Sequence, residues 1–599
     1  MAFQISPGVE VKEKDLTTIV PAVSTTIAAF AGHFQWGPSE QIVTVDSENN
    51  LKALFGEPNN DNYQEWFTAA NYLGYGNNLK VVRQTGSTAT NASATGGTGT
   101  YIKNDDHYSV SMDGLGVTSG QWAARYPGTM GNSLKVVWTD GGSTTAGSTV
   151  SATEYNTWSY YSYFDSSMPY TSQWMEDLTG NTQGYDGLNI AVIDEDGLFT
   201  GTKGIVLETF NGVSKAANAK TMTGESNYYQ EVINTNSKYI WWGDHPATGG
   251  SSGEVTGGSL GWGDTLTINT GSTAQFDLVI GSTGTSQGKD VSLTGGDGET
   301  TGTISTGATE GYGLFADAET VDVSLILGGP ADATLAGELV DLCDSRKDCV
   351  VFLSPEKADV ITNDSPRSEA DAETAVLGFR NTELNKNSSY AFLDSGWKYM
   401  YDRYTDLYRW VPLNGDMAGL AVRSDQQTET WFSPAGFNRG QVRGVVKLSW
   451  NPRKAHRDNL YKSQVNPVVA FPGEGTVLWG DKTLQSKPSS FDRLNVRRLF
   501  IVLEKAISTA AKYQLFEQND AFTRTHFKSM IEPFLRDVQA RRGVIDFKVV
   551  CDDTNNPGSV IDRNEFVADI YIKPTRSINF ITLNFVATAT GVDFTEVGA

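Results

Sequence analysis

The stretch VDVSLILGGPADATLAGELVDLCDSRKDCVVFLSP, residues 321–355, decides the fold of the central part of the chain. VDVSLILGGP is typical of a strand that ends in a turn, ATLAGELVDLCDSR of a helix, and DCVVFLSP of a second buried strand. A strand–helix–strand order predicts a right-handed βαβ unit with parallel strands. The sequence therefore predicts a mixed αβ core over 321–480.

The same pattern occurs earlier, and we predict that 21–90 supplies the first part of this core. A short helix is predicted from Asp46 to Phe55, with Asp46 or Ser47 as its cap. NYQEWFTAANYLGYG indicates a second helix ended by glycine, and NLKVVRQ a buried strand. In the later segment, a further helix is predicted within 367–389.

The region between these segments differs in composition. Residues 91–320 are rich in Gly, Ser, Thr, Asn, Tyr and Trp and contain 8 basic against 25 acidic residues. They therefore hold 17 of the chain's 24 excess negative charges. We predict one or two inserted β-rich outer domains here, 91–185 and 186–320.

Residues 481–587 predict a C-terminal inner domain. VRRLFIVLEKAISTAAKYQLFE favours a helix that Asn495 caps. A second helical stretch covers 520–542, where Pro533 is expected to kink or restart the helix, with Ser529 and Glu532 capping the restart. Strands are expected to follow it. The complete prediction is a multidomain α/β and α+β fold.

Both ends of the chain are expected to be extended arms, 1–20 and 588–599. Val9 and Val11 alternate with Glu10 and Lys12, the period of a strand. Val592 and Phe594 belong to a second short strand near the other end. Strands this short, without a hairpin partner, are not stable alone.

Composition excludes several functions for this 599-residue chain. A net charge of −24 and a pI of about 4.7 argue against nucleic-acid binding, which needs clustered Lys and Arg. The N-terminus has no secretory signal pattern, and no apolar run is long enough for membrane insertion. Cys343, Cys349 and Cys551 are expected to be free thiols.

Catalysis and cofactors are not expected either. None of the five histidines has metal-ligand spacing to another His or Cys, so no metal site is predicted. Carboxylate pairs such as Asp194 and Asp196 are typical of glycosidases, but with 70 acidic residues such pairs arise by chance. We predict that the protein is not an enzyme.

Several long segments resemble the tail sheath proteins of contractile, T4-like phages, in the order of that family. The similarity covers roughly 1–90 and 320–590 and is carried by SPGVEVKEKDLT (6–17), AAFAGHFQWGPSEQ (28–41), LFGEP (54–58), DRYTDLYRWVPLNGDMAGLAVRSD (402–425), WFSPAGFNRGQV (431–442), LYKSQVNPVVAFPGEGTVLWGDKTL (460–484) and FDRLNVRRLFIVLEKAI (491–507).

The resemblance implies a structural subunit that forms stacked six-fold rings around a tail tube and contracts from a metastable extended state. Its expected partners are other sheath subunits, the tube protein, and baseplate and tail terminator proteins. It implies a protein of the virion, assembled in the host cytoplasm. It also implies that the terminal arms donate strands to neighbours, through Val9, Val11, Val592 and Phe594.

A local basic stripe suggests which surface faces the tube. Arg524, Lys528 and Arg542 lie within about 40° of each other on an unbroken helix, at 100° per residue. With Arg536 they are our candidate tube-facing residues, by analogy with related sheaths; the alternative is an ordinary solvated helix face.

Two other functions fit parts of the sequence. The Trp- and Tyr-rich middle region would suit a phage adhesin or glycan-binding surface protein, since aromatic rings stack on sugars and anchor interfaces; in most proteins such residues form the core of a β-domain. The residues concerned are Trp158, Tyr160, Tyr161, Tyr163, Trp174, Trp241 and Trp242. The third alternative is a carbohydrate-active hydrolase that uses a carboxylate pair.

Overall fold

The structure is a computed structural model. It describes residues 24–96, 100–110, 119–140, 155, 158–164, 169–245, 259–268, 270, 274–276, 289–298, 304–579 and 582. The predicted arms, with Val9, Val11, Val592 and Phe594, lie outside these residues, as do 580–581 and 583–587 at the end of the predicted C-terminal inner domain.

The first part of the core contains three strands and two helices. In chain order they are β1 Ala28–Gly32, β2 Ile42–Val45, α1 Glu48–Phe55, α2 Tyr63–Leu73 and β3 Leu79–Arg83. Ser47 Oγ accepts a hydrogen bond from Asn50 N and begins α1, and Gly74 ends α2, so both helix predictions are confirmed.

An outer domain, residues 86–304, follows. Its elements are β4 Trp122–Ala124, β5 Leu134–Asp140, α3 Gln173–Thr179, β6 Gly187–Asp194, β7 Ile205–Ser214, α4 Tyr229–Asn236, β8 Ile240–Trp242, β9 Ser259–Leu260, β10 Gln275–Phe276 and β11 Lys289–Ser292. Four of these strands form an antiparallel sheet in the order β11-β5-β6-β7.

The predicted division of the outer region at 185 is wrong. β5 and β6 lie on either side of that position and pair along their full length, from Leu134 opposite Asp194 to Asp140 opposite Leu188. Each buried cluster in the described part of the outer domain draws residues from both sides of 185, so neither half has a core of its own. The predicted end at 320 is also too late, because Tyr312 and Phe315 belong to the core of the central domain.

The chain then returns to the central core. The elements are β12 Leu325–Leu327, α5 Ala333–Arg346, β13 Val350–Leu353, α6 Lys357–Val360, β14 Ile361–Thr362, β15 Ser365–Pro366, α7 Glu369–Gly378, β16 Ala391–Leu393, β17 Trp397–Asp402, β18 Leu407–Pro412, α8 Asn414–Gln427, β19 Lys447–Leu448, α9 Lys454–Lys462, β20 Val468–Phe471 and β21 Gly475–Leu478.

One six-stranded sheet joins the two halves of this core, in the order β16-β13-β12-β1-β3-β2. All its neighbouring strands are parallel except β2 against β3. The predicted strand–helix–strand unit is confirmed as β12, α5 and β13, with Asp332 capping the helix. The outer domain is thus an insertion between two strands, β3 and β12, that both pair with β1.

The C-terminal domain, residues 494–579, contains α10 Leu494–Lys512, α11 Ala521–Ala540, β22 Val544–Val550, α12 Gly558–Ile561 and β23 Asp569–Pro574. The predicted Asn495 cap is wrong. The helix begins at Leu494, with Arg493 at the cap position, which is two residues earlier than predicted. Leu494 is buried in the central core, and the Asn495 amide instead donates to Trp431 O.

The predicted restart at Pro533 is also wrong, since α11 runs through this residue as one helix. Pro533 removes a backbone donor and is unfavourable in a helix interior. It lies on the exposed side, however, while Phe527, Ile531 and Leu535 form one continuous buried face. Packing of that face outweighs the local preference, so Ser529 and Glu532 do not cap a new helix.

The three cysteines are free thiols, as predicted, and the structure shows that all three are buried. Cys343 and Cys349 lie at the two ends of the α5–β13 connection, with their sulfur atoms 3.5 Å apart. Burial raises the pKa of the Cys343 thiol well above its ordinary value. The Cys343 thiol is therefore a packing group of the core and not a reactive thiolate.

Asp394 makes the stability of the core depend on pH. It is fully buried after β16, where Ser354 Oγ and Gly396 N donate to its carboxylate at 2.7 and 2.9 Å. Burial raises its pKa from 3.8 to about 8. The native state therefore keeps a proton that the unfolded chain releases. The resulting stabilisation is complete below pH about 4 and is lost as pH rises through about 8.

Substituting Asp394→Asn should remove this dependence. From pH 6 to pH 8 the free energy of unfolding should fall by about 2 kcal/mol more in the unsubstituted protein than in the variant. Thermal unfolding of both proteins at the two pH values measures the difference. Identical pH dependence in the two proteins would contradict a raised pKa at this carboxyl.

Candidate assembly interface

The C-terminal sheet is the first candidate interface. β22 and β23 pair antiparallel, and α11 packs behind them through Phe527, Ile531 and Leu535. Within 494–579 no third strand joins either edge. An open edge presents unpaired N–H and C=O groups to a strand from another chain.

Local contacts restrict the edge that a further strand could use. Gln539 Nε2 donates to Ile545 O at 2.9 Å, and Asn555 Nδ2 donates to Val550 O at 2.8 Å. These amides occupy carbonyls at the two ends of β22. On the sheet, Ile545 and Tyr571 are 65% and 60% exposed, so apolar surface is available to an incoming strand.

The structure does not bring the four candidate tube-facing residues onto one exposed stripe. Arg524 is buried, and its guanidinium bonds Asp553 at 2.8 Å and Asn519 at 3.1 Å. Arg542 lies beyond the end of α11 with φ +68°. The helical angle calculated for Arg542 therefore does not apply.

Lys528 and Arg536 are the two members that face solvent. Their side chains are 42% and 70% exposed, and both approach Glu532, at 3.8 and 3.5 Å. Such exposed pairs contribute little to stability and weaken with salt. Both cations are therefore free to exchange Glu532 for an acidic group on another molecule.

The aromatic residues that suggested a glycan-binding protein, and the carboxylate pair that suggested a hydrolase, have structural explanations. Trp158 packs on Phe164, and Trp241 stacks on Tyr108 with ring centroids 4.0 Å apart. Asp194 is buried and fixes the β6–β7 turn, accepting hydrogen bonds from Ser133 Oγ and from the backbone amides of Gly197, Phe199 and Thr200. Five of the seven aromatic residues are in or against buried clusters, whereas Tyr161 and Tyr163 are exposed, and Asp194 holds a turn.

No group of three His, Cys, Asp or Glu side chains suitable for a metal ion occurs among the described residues. Over the same part of the chain, no helix is long and apolar enough to cross a membrane.

Together, a mostly parallel core sheet, an acidic insertion and an open-edged terminal sheet define a multidomain protein of mixed αβ class. Three family models match the chain: the tail sheath protein Gp18 domain III N-terminal region at 25–83, the phage tail sheath protein central domain at 309–484, and the phage tail sheath C-terminal domain at 486–588. The unmatched residues between the first two models correspond closely to the outer domain.

Two phage tail sheath proteins that match almost the whole chain give the same answer. The tail sheath protein of Vibrio phage KVP40 is 36% identical and that of Enterobacteria phage T4 is 34% identical, each over 99% of both chains. The sheath tail protein Lin1278 from Listeria innocua is 11% identical, with a TM-score of 0.49 over 92% of this chain and 96% of that one. The chain belongs to the phage tail sheath protein family. It is a structural protein and not an enzyme.

Proposed function

We propose that this chain is the repeating subunit of a contractile sheath, stacked in six-fold rings around a tail tube. The sheath assembles in the host cytoplasm, becomes part of the virion, and is bounded by baseplate and tail terminator proteins. The open C-terminal sheet, to which a neighbouring copy can add strands, is the observation that carries the proposal.

Contraction would draw on energy stored at assembly. Two packings of the same subunits that differ by a few kcal/mol each are enough, because the difference is summed over many copies. The extended packing then persists as a kinetic trap until it is triggered, and the shorter packing drives the tube through the host envelope. This mechanism requires no nucleotide site.

Strands donated through Val9, Val11, Val592 and Phe594 would hold neighbours together while their bodies move. In an extended arm, Val9 and Val11 share one face and Glu10 and Lys12 the other. The valine face would pack on the recipient sheet, and backbone hydrogen bonds along the open edge would supply affinity.

Removing either arm should leave a folded monomer that forms no long polymers. Deletion of 1–20 or 588–599 tests this by electron microscopy of purified protein. A sharper pair is Val9→Asp with Val11→Asp, which should abolish polymers, against Glu10→Ser with Lys12→Ser, which should leave them unchanged. Full-length sheaths from both deletion variants would contradict strand donation.

The exposed cations Lys528 and Arg536 are our candidates for tube contact. Contacts through exposed charges are weak and screened by salt, which suits a sheath that must slide along its tube. Retention of tube protein in purified sheaths should therefore fall as ionic strength rises, and fall further in Lys528→Glu with Arg536→Glu. Unchanged retention in this variant would remove both residues from the tube surface.

A further inference from the structure

The turn between α10 and α11 exposes an unusual amount of apolar surface. Tyr513, Leu515, Phe516 and Phe522, which we name the apolar tip, are each more than 60% exposed, and Phe516 is fully exposed. Phe516 also has φ +70°, a left-handed backbone conformation that is unfavourable for an aromatic residue. A strained, fully exposed Phe in an apolar patch indicates an interaction surface.

A groove elsewhere on the chain has matching chemistry. It is a cavity of about 770 Å³ between the central core and the C-terminal domain, with Trp431, Phe432 and Trp479 among its lining residues. Trp479 is 39% exposed and packs against Phe437 and Phe471, each with ring centroids 4.9 Å away. The groove therefore has a preformed aromatic wall, and its volume is large enough to hold several side chains.

The groove also contains a buried acceptor that no described residue satisfies. Asn495 lines the groove and is only 3% exposed, and its Nδ2 donates to Trp431 O. Its Oδ1 accepts no hydrogen bond from the described part of the chain. Because a buried acceptor without a partner is costly, this atom indicates an incoming N–H donor.

Charge is complementary between the two surfaces. Five cations line the groove: Arg439, Lys454, Arg457, Arg542 and Arg576. The lining acids are Asp458 and Asp481, of which Asp481 is bound by Arg493 at 3.0 Å. The tip instead carries exposed Glu517 and Asp520 beside one exposed cation, Lys512. Opposite potentials favour association of the tip with the groove.

We propose that the apolar tip of one subunit docks in the groove of a second copy, with Leu515 and Phe516 against Trp479. The two surfaces lie at different places on one chain, so the contact is head-to-tail and propagates along a polymer. The inference rests on the proposed sheath assembly, which it deepens by naming a contact that strand donation does not supply.

Cysteine cross-linking tests the contact in polymers of the full chain. Phe516→Cys with Trp479→Cys should give a ladder of covalent multimers on oxidation, because the three native cysteines are buried. A mixture of the two single variants should stop at dimers, which shows that the link is intermolecular and head-to-tail. Met222→Cys with Trp479→Cys is the control, since Met222 is 98% exposed but distant in sequence and domain.

Each outcome is informative. Polymers without cross-links would overturn the docking contact and leave the sheath proposal intact, whereas native protein that never polymerises would overturn both. Cross-linking of Trp479→Cys to a cysteine at position 9 or 594 instead would assign the groove to a terminal arm. Cross-linking of Phe516→Cys to tube protein would assign the tip to the tube.

A second measurement needs no cross-link. Phe516→Asp should raise the concentration required for polymerisation by about tenfold or more, since buried aromatic anchors dominate interfaces. Met222→Asp is the matched control and should leave that concentration unchanged. Both sites are exposed in the subunit, so circular dichroism should show native folding in each variant. An unchanged value for Phe516→Asp would also overturn the proposal.

Discussion

Replacing Lys215 by Met is expected to lower the stability of the outer domain by about 3–5 kcal/mol. Lys215 and Asp140 are both completely buried, and the ammonium lies 2.7 Å from the carboxylate and 3.1 Å from Tyr185 O. The Trp262 ring lies 4.8 Å from the same ammonium. Met keeps most of the apolar stem but leaves the Asp140 charge in the interior without its cation.

The effect should appear as an early transition in calorimetry. For a domain of about 200 residues, a loss of this size lowers the midpoint by roughly 6–20 °C. The control is Lys203→Met on the same β6–β7 hairpin, whose pair with Asp196 is 3.2 Å long but largely exposed. That variant should lose at most about 1 kcal/mol. Equal losses of stability in both variants would mean that burial does not determine how much the Lys215–Asp140 pair contributes to stability.

Local signals in the sequence were sufficient to predict those elements that are determined by residues close together in the chain. The Ser47 side chain marks the start of one helix, and Gly74, which has no side chain, marks the end of another. Residues 321–355 contain a complete strand–helix–strand unit. Each prediction depended on residues within one segment, and the structure confirms each of them. The family resemblance was also carried by such continuous segments.

Long-range pairing explains what sequence reasoning missed. β5 and β6 are separated by 46 residues, so no hairpin signal joins them across the supposed boundary at 185. Similarly, helical spacing placed Arg524 on one face with Lys528 but could not show that this residue turns inward to Asp553. The partner lies 29 positions away, on the loop after β22.

The groove was beyond sequence reasoning for the same reason. Its lining residues come from 431–481, 495 and 542–579, and none forms a motif by itself. The apolar tip could have been noticed, because YQLFEQNDAF interrupts two amphipathic helices with apolar residues at a turn. The helical pattern of the preceding segment extends over most of these residues, however, so they would be predicted to lie in that helix with their apolar side chains in the core.

Replacing Lys398 by Met is expected to cost about 3–5 kcal/mol in the central core. Lys398 on β17 lies 2.8 Å from the Asp416 carboxylate on α8, and both side chains are 1% exposed. Tyr75 OH also donates to Asp416, at 3.2 Å, and accepts from Arg443 N at 2.7 Å. The substitution therefore removes the cation that pairs with Asp416, in a network that joins β17, α8 and the segment after α2.

The loss in Lys398→Met should depend on pH in a defined direction. Burial already raises the pKa of Asp416, and the Lys398 ammonium opposes that shift. Without the cation the pKa of Asp416 rises further, so protonation at low pH relieves the buried charge, and the loss of stability becomes smaller from pH 8 to pH 5.

The control is Lys386→Met, whose 2.7 Å pair with Asp341 is exposed and should contribute at most about 1 kcal/mol. Denaturant unfolding of the three proteins at both pH values measures these terms. A loss for Lys398→Met that stays constant from pH 5 to pH 8 would show that the lost stability comes from packing and not from the uncompensated Asp416 carboxylate.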